Sequence, residues 1–217
     1  MWCIRKINDE FIQCMEDVLN LYEKSYNSDE PVICFDEKSK QLLGDARMSI
    51  PANPHQSLKR DYTYKRNGTR NIFLSVEPKG GHREVRETAR RTRPDFATEA
   101  NRVIALPRYR KARTVHLVVD NLNTHNAESF IQTFGEKKAK RILSRIQFHY
   151  TPKHASWLNM AETELSILER QCLKRRIPTQ EMLSKEIAIW QRNRNRVHAT
   201  INWKFTAKDA RRAFKYK

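Results

Sequence analysis

Two apolar runs end in acids: Val32-Ile33-Cys34-Phe35 leads into Asp36 and Glu37, and Thr114-Val115-His116-Leu117-Val118-Val119 leads into Asp120. An unbroken, β-branched run, the first opened by Pro31, reads as a strand buried on both faces. One Asp after such a strand usually caps a turn. Two of them on neighbouring strands would crowd like charges, which is costly unless a cation stands between them. A divalent metal supplies that cation, and Mg²⁺ prefers carboxylate oxygen. No Ser-His-Asp or Cys-His signature offers a covalent nucleophile in its place.

A third acid has to come from a helix. Leu158, Ala161, Leu165, Leu168 and Cys172 recur at spacings of three and four, the stripe of a helix packed on a core. Glu162 stands at the edge of that stripe, Glu164 on a different face, and Glu169 nearly two turns further along. Periodicity leaves the choice among the three open.

The elements that position these acids can be read along the chain. Residues 8 to 23 read as a helix through Phe11, Met15, Val18, Leu19 and Tyr22. The Val32 to Asp36 strand follows. Asn67-Gly68 reads as a tight hairpin turn before a strand over residues 71 to 77, and Pro78-Lys79-Gly80-Gly81 turns the chain into an edge strand over 82 to 90. Three consecutive antiparallel strands are therefore expected. Helices are expected over 95 to 106, 128 to 144, 156 to 175 and 179 to 194, the last opened by Thr179 as its N-cap. Short strands at 114 to 120 and 147 to 150 lie between them. This order predicts a mixed five-stranded α/β sheet with helices on both faces, the two most buried strands side by side in its centre. Open sheets of this kind place reactive groups beyond the carboxyl ends of their strands, where Asp36 and Asp120 stand.

The composition points to the partner. The chain has 217 residues with 42 Lys and Arg against 25 Asp and Glu, a net charge of +17, and a pI near 10.0. Such an excess attracts a polyanion, most often nucleic acid. Four cysteines without a C-x-x-C pair exclude a zinc knuckle or disulfide framework. No stretch reaches the ~20 apolar residues of a membrane span, and Met1-Trp2-Cys3-Ile4-Arg5-Lys6 is not followed by the apolar core of a secretory signal. A cytoplasmic, nucleoid-associated location and no membrane partner are expected.

Three blocks then resemble the acid blocks of mariner-like DDE transposases, in particular their bacterial insertion-sequence branch. They are Cys34-Phe35-Asp36-Glu37, Val118-Val119-Asp120-Asn121-Leu122-Asn123-Thr124-His125, and His154-Ala155-Ser156-Trp157-Leu158-Asn159-Met160-Ala161-Glu162. Tyr64 to Thr69 and Trp203 to Thr206 fit as well. The resemblance implies a ribonuclease H-like fold, with the DDE catalytic domain over residues 31–200 between an N-terminal helix and linker (1–30) and a basic C-terminal tail (201–217). It implies that Asp36, Asp120 and Glu162 form the catalytic, metal-holding triad, taking two Mg²⁺ ions, with Mn²⁺ as a substitute. Asp120 lies 84 residues after Asp36 and Glu162 lies 42 after Asp120. The expected activity is cleavage of double-stranded DNA at transposon ends and transfer of the freed 3′-OH into target DNA, by a homodimer on DNA.

His125 and Asn159 are expected to orient neighbouring carboxylates, and Arg66, Lys153 and His154 to meet DNA phosphates. The basic stretch from Lys59 to Arg70 and Arg192, Arg194, Arg196, Arg211 and Arg212 are expected to add nonspecific affinity. Relatives carry helix-turn-helix domains ahead of the catalytic domain. Residues 8 to 23 supply a single helix, so recognition of transposon ends is expected to be missing here, as in one product of a split gene. An idle DNA-binding remnant and a structure-selective nuclease of the same fold remain the alternatives.

Overall fold

The computed structural model describes residues 7–59 and 61–216; Met1 to Lys6, with Cys3, Arg60 of the basic stretch and Lys217 lie outside them. A strand apolar on both faces needs neighbours on both edges and layers above and below. The first strand, β1 (Val32–Asp45), has all four. Along one edge runs β2 (Tyr64–Glu77), antiparallel, itself paired with β3 (His82–Thr88). Along the other runs β4 (Val115–Val119), parallel, followed by β5 (Ile146–Tyr150). The order β3-β2-β1-β4-β5 puts β1 at the centre beside β4, as the two buried runs predict.

Alternation along β1 sorts its side chains between two cores. Cys34 and Leu42 join Leu74, Val76 and Val118 beneath α1 (Asp9–Glu23), α5 (Met160–Leu168), α6 (Gln180–Arg196) and α7 (Ala207–Phe214). Ile33 and Phe35 join Phe73, Leu117 and Val119 beneath α2 (Arg93–Ile104), α3 (Ala127–Phe134) and α4 (Glu136–Leu143). Successive residues of a strand face opposite sides, so Asp36 and Glu37 belong to different faces of the sheet. Among the described residues no helix is long and apolar enough to cross a membrane.

Three expectations fail locally, each because a backbone device served another purpose. Asn67-Gly68 is no hairpin turn: β1 and β2 are both longer than predicted, and the dipeptide lies within β2. Gln41 faces Thr69 and Leu43 faces Arg66, so Asn67 and Gly68 together oppose Leu42 as a bulge. Gly68 takes φ 100° there, and the Asn67 amide donates to the Pro178 carbonyl at 2.9 Å. The helix expected over 128 to 144 is two helices, broken where Gly135 adopts φ 74°. The one expected over 156 to 175 is a 3₁₀ turn (Ser156–Leu158), then α5, then a π turn (Glu169–Leu173).

A buried ion cluster ties α5 to its surroundings. Arg83 of β3 and Glu164 of α5 are both fully buried and meet through Nε to Oε2 at 3.0 Å and Nη2 to Oε1 at 2.7 Å. Arg194 of α6 donates to the same Oε1 at 2.7 Å. Removing one partner of such a cluster strands charge in the interior. Glu164→Ala should therefore lower unfolding free energy by about 3–5 kcal/mol in urea titrations; a loss below about 1 kcal/mol would show that the cluster does not hold the fold.

Candidate active site

The ladder between β1 and β4 is short. Val32, Ile33 and Cys34 pair with His116, Leu117 and Val118, and beyond them the two strands part. Asp36 follows on β1 and Asp120 follows the end of β4, so the gap between the strands receives both acids. The backbone N–H of Glu37 donates to Asp36 Oδ1 at 2.8 Å.

The same gap leaves the carbonyl of Phe35 without a ladder partner on β4, and Asn159 takes it. Its Nδ2 donates to Phe35 O at 2.9 Å, while its Oδ1 accepts the N–H of Ala161 at 3.1 Å as the N-cap of α5. One buried amide thus fastens the start of α5 to the residue before Asp36. Asn159 therefore acts on backbone groups, not on a carboxylate. Glu162 falls in the first turn of α5, where the positive end of the helix dipole favours an acid. From α1, Tyr22 Oη donates to Leu158 O at 2.8 Å and fixes the approach to that cap.

The three glutamates of this helix are now distinguishable. Glu164 is consumed by Arg83 and Arg194. Glu169 faces Lys38 Nζ at 3.1 Å and Lys40 Nζ at 3.4 Å, both from β1. Glu162 has no side-chain ion pair among the described residues and is partly exposed.

His125 joins two acids behind the gap. Its Nδ1 contacts Asp120 Oδ1, and its Nε2 lies 2.9 Å from Glu37 Oε2, a charge contact outside hydrogen-bond geometry. The ring is 1% exposed and packs on Phe96 with centroids 4.4 Å apart. Burial pushes the imidazole pKa down, but the contacts with Asp120 and Glu37 outweigh it and raise it to about 9. Asp36 moves the same way for another reason. Burial first, then the charges of Asp120, Glu37 and Glu162, lift its pKa to about 7 against the opposing Glu37 N–H. Asp36 therefore feels the charges of both Asp120 and Glu162.

The donor set fits a hard divalent ion: three carboxylates, one of them held near neutrality for want of a compensating cation. Among the described residues, however, no three such side chains already form an ion-holding cluster. The acids are neighbours electrostatically and not yet a cage. Lys153 and His154 are exposed in the loop after β5, which leaves the sheet at the same end as Asp120; His154 takes φ 65°. Arg66 is exposed but opposes Leu43, seven residues beyond Asp36, about 23 Å along the strand. It is not brought to the acids. Arg194 is engaged with the buried Glu164, while Arg211 and Arg212 pair with Glu16 and Asp209 and stay exposed. A cavity of about 430 Å³ opens beside the start of β1, lined by Tyr22, Tyr26, Glu77 and His116, and none of the three acids lines it.

Three antiparallel strands followed by two parallel ones, with helices on both faces, make this a ribonuclease H-like domain. Residues 31–184 match the family described as DDE superfamily endonuclease. The chain belongs to that family. Its fold is similar to that of the Mos1 mariner paired end complex with Mn, at TM-score 0.58 and 15% identity over 92% of this chain and 60% of that one. The Mos1 strand transfer complex gives 0.57 and 14% over 92% and 59%, and the paired end complex with Mg gives 0.52 and 13% over 94% and 66%. The chain thus spans about 60% of the Mos1 chains that it matches. No curated protein matches it by sequence.

The crowded acids carry a stability consequence. A carboxyl whose pKa rises on folding favours the folded state while protonated, and that advantage disappears as the group ionises. For Asp36 the loss runs from the ordinary aspartate value of about 3.8 up to about 7 and is complete above it. At pH 8 without metal, Asp36→Asn should unfold at least about 2–4 °C higher than the parent, and the difference should vanish near pH 4. Thermal melts at the two pH values check this; equal melting at pH 8 would mean that folding does not raise the Asp36 pKa through burial and its acidic neighbours.

Proposed function

We propose that the chain is the catalytic domain of a DNA transposase, in which Asp36, Asp120 and Glu162 hold two divalent ions, Mg²⁺ with Mn²⁺ as a substitute. The observation that carries this reading is geometric: the β1–β4 ladder ends at Cys34 and Val118, just before Asp36 and Asp120, and Asn159 ties the start of α5, whose first turn carries Glu162, to Phe35 O. Membership of the DDE endonucleases supports it, as does a fold shared with Mos1, whose structures include paired-end and strand-transfer complexes.

When bound, the ions supply Lewis acidity and a nucleophile at neutral pH. The chain's own groups do the placing. β1 and β4 bring two carboxylates to the gap from opposite sides. Asn159 sets the height of α5 and hence of Glu162. Lys153 and His154 stand where a phosphate approaching Asp120 would meet them, and Arg66 can bind the duplex further along the hairpin. With a charge of +17, DNA affinity is expected to fall steeply with salt. Action as a homodimer on two transposon ends completes the reading.

The test uses labelled transposon-end duplex with Mg²⁺ or Mn²⁺, the chain being supplied with a DNA-recognition domain. Asp120→Asn and Glu162→Gln should each cut at least about 100-fold more slowly, beyond the usual loss from outer partners of a metal site, while binding DNA as tightly as the parent. Cutting by either variant at the parental rate removes the triad assignment. Cutting without joining of a pre-cut 3′-OH end replaces the transposase with a nuclease of the same fold.

A further inference from the structure

Glu37 is the acid that the proposed chemistry leaves unused. It follows Asp36 directly, yet alternation turns it to the other face of the sheet, opposite Phe73. There its carboxylate is only 3% exposed. Such burial needs a reason, since ionised groups are rarely buried unless paired. The basic residue beside it is Arg91, whose Nη1 stands 3.9 Å away and whose side chain is 56% exposed, too distant and too solvated to account for the burial. The close partner is His125, at 2.9 Å, itself 1% exposed and pressed against Phe96. The other nitrogen of that ring contacts Asp120.

We propose that Glu37 is a positioning residue for Asp120, acting through His125. An imidazole has two nitrogens on opposite sides of a rigid ring. Anchoring Nε2 to a carboxylate on the central strand fixes the direction in which Nδ1 presents its proton. Asp120 follows the last residue of β4 and its side chain is 23% exposed, so without such a contact it is free to rotate. With Oδ1 occupied by His125, Oδ2 is left for an ion. Ligand orientation by a second group of this kind commonly changes metal affinity about 10- to 100-fold. Asp36-Glu37 then governs two of the three acids: Asp36 by lying in the site, Asp120 from behind the sheet. A glue role, in which Glu37 merely holds the 121–125 loop to β1, makes a different prediction, because it affects stability and leaves metal affinity unchanged.

This inference rests on Asp120 being an ion ligand, and the experiment separates the two. Mn²⁺ binding to the parent and variants is followed by loss of the free-ion electron paramagnetic resonance signal, with folding read by circular dichroism. Asp120→Asn serves as the control for the ligand itself. Glu37→Ala should raise the Mn²⁺ concentration for half-saturation about tenfold. Glu37→Gln, whose amide oxygen can still meet Nε2, should bind Mn²⁺ within about threefold of the parent. If Glu37→Ala does not fold, His125→Asn replaces it: the shorter amide can still reach Asp120 but not Glu37, and should show the same weakening. Half-saturation within twofold of the parent in the folded disruptive variant overturns the proposal, as does a Glu37→Gln as weak as Glu37→Ala. If Asp120→Asn itself binds Mn²⁺ like the parent, the triad reading fails and takes this one with it. If Asp120→Asn weakens binding and Glu37→Ala does not, only the positioning role is lost.

Discussion

Like charge gathered where two parallel strands part is the constraint that organises this molecule. The pairing of β1 with β4 stops after Cys34 and Val118, and among the described residues no basic side chain is ion-paired with Asp36 or Glu162. Elsewhere around the site the protein neutralises its acids. Glu164 is given two arginines, Glu169 two lysines, and Glu37 a buried imidazole. Asp120 receives one face of the same imidazole. Asp36 and Glu162 receive none, and burial makes the deficit of Asp36 expensive in free energy. Charges left uncompensated inside a strongly basic chain are what the proposed ion site would neutralise.

The surrounding framework is stiff in the ways that this requires. A carboxylate that repels its neighbours moves away unless its backbone is held. Asp36 is on the central strand, within the run from Cys34 to Gln41 that pairs with β2 without a break. Glu162 is on a helix whose start is tied to Phe35 by Asn159 and whose body is tied to β3 and α6 through Glu164. The helix is not continuous: a 3₁₀ turn precedes it and a π turn ends it. Glu162 is aimed by the cap, while Glu169 reaches Lys38 and Lys40 from the π turn.

Much of this was legible in the sequence because the relevant signals are local. Apolar runs ending in Asp identify β1, β4 and the acids that follow them, and alternation alone assigns Asp36 and Glu37 to opposite faces. Thr179 is the N-cap that its type predicts, accepting from Met182 N–H at 3.2 Å. The choice among Glu162, Glu164 and Glu169 is not local. What separates them is who neutralises the other two, and those partners lie 81, 30, 129 and 131 residues away. Periodicity has no access to such pairings, and only the family blocks pointed to Glu162. Asn67-Gly68 misled for a related reason. Positive φ suits a bulge as well as a turn, and what decides between them is the register of β1 opposite, which the dipeptide does not encode.

The short β1–β4 ladder also explains why Asp36 and Glu37 can act together at all. Had the strands continued to pair, Phe35 O would point into a ladder bond with β4, and Asn159 would lose the acceptor that sets Glu162. The same continuation would close the space through which His125 reaches from Asp120 to the back face of β1. A parallel pair is slightly weaker per residue than an antiparallel one, so ending this one early sacrifices little. The antiparallel partner β2 meanwhile holds β1 straight past the site. One edge of β1 therefore supplies rigidity and the other supplies room, and the two adjacent acids point to opposite faces at the place where both are present.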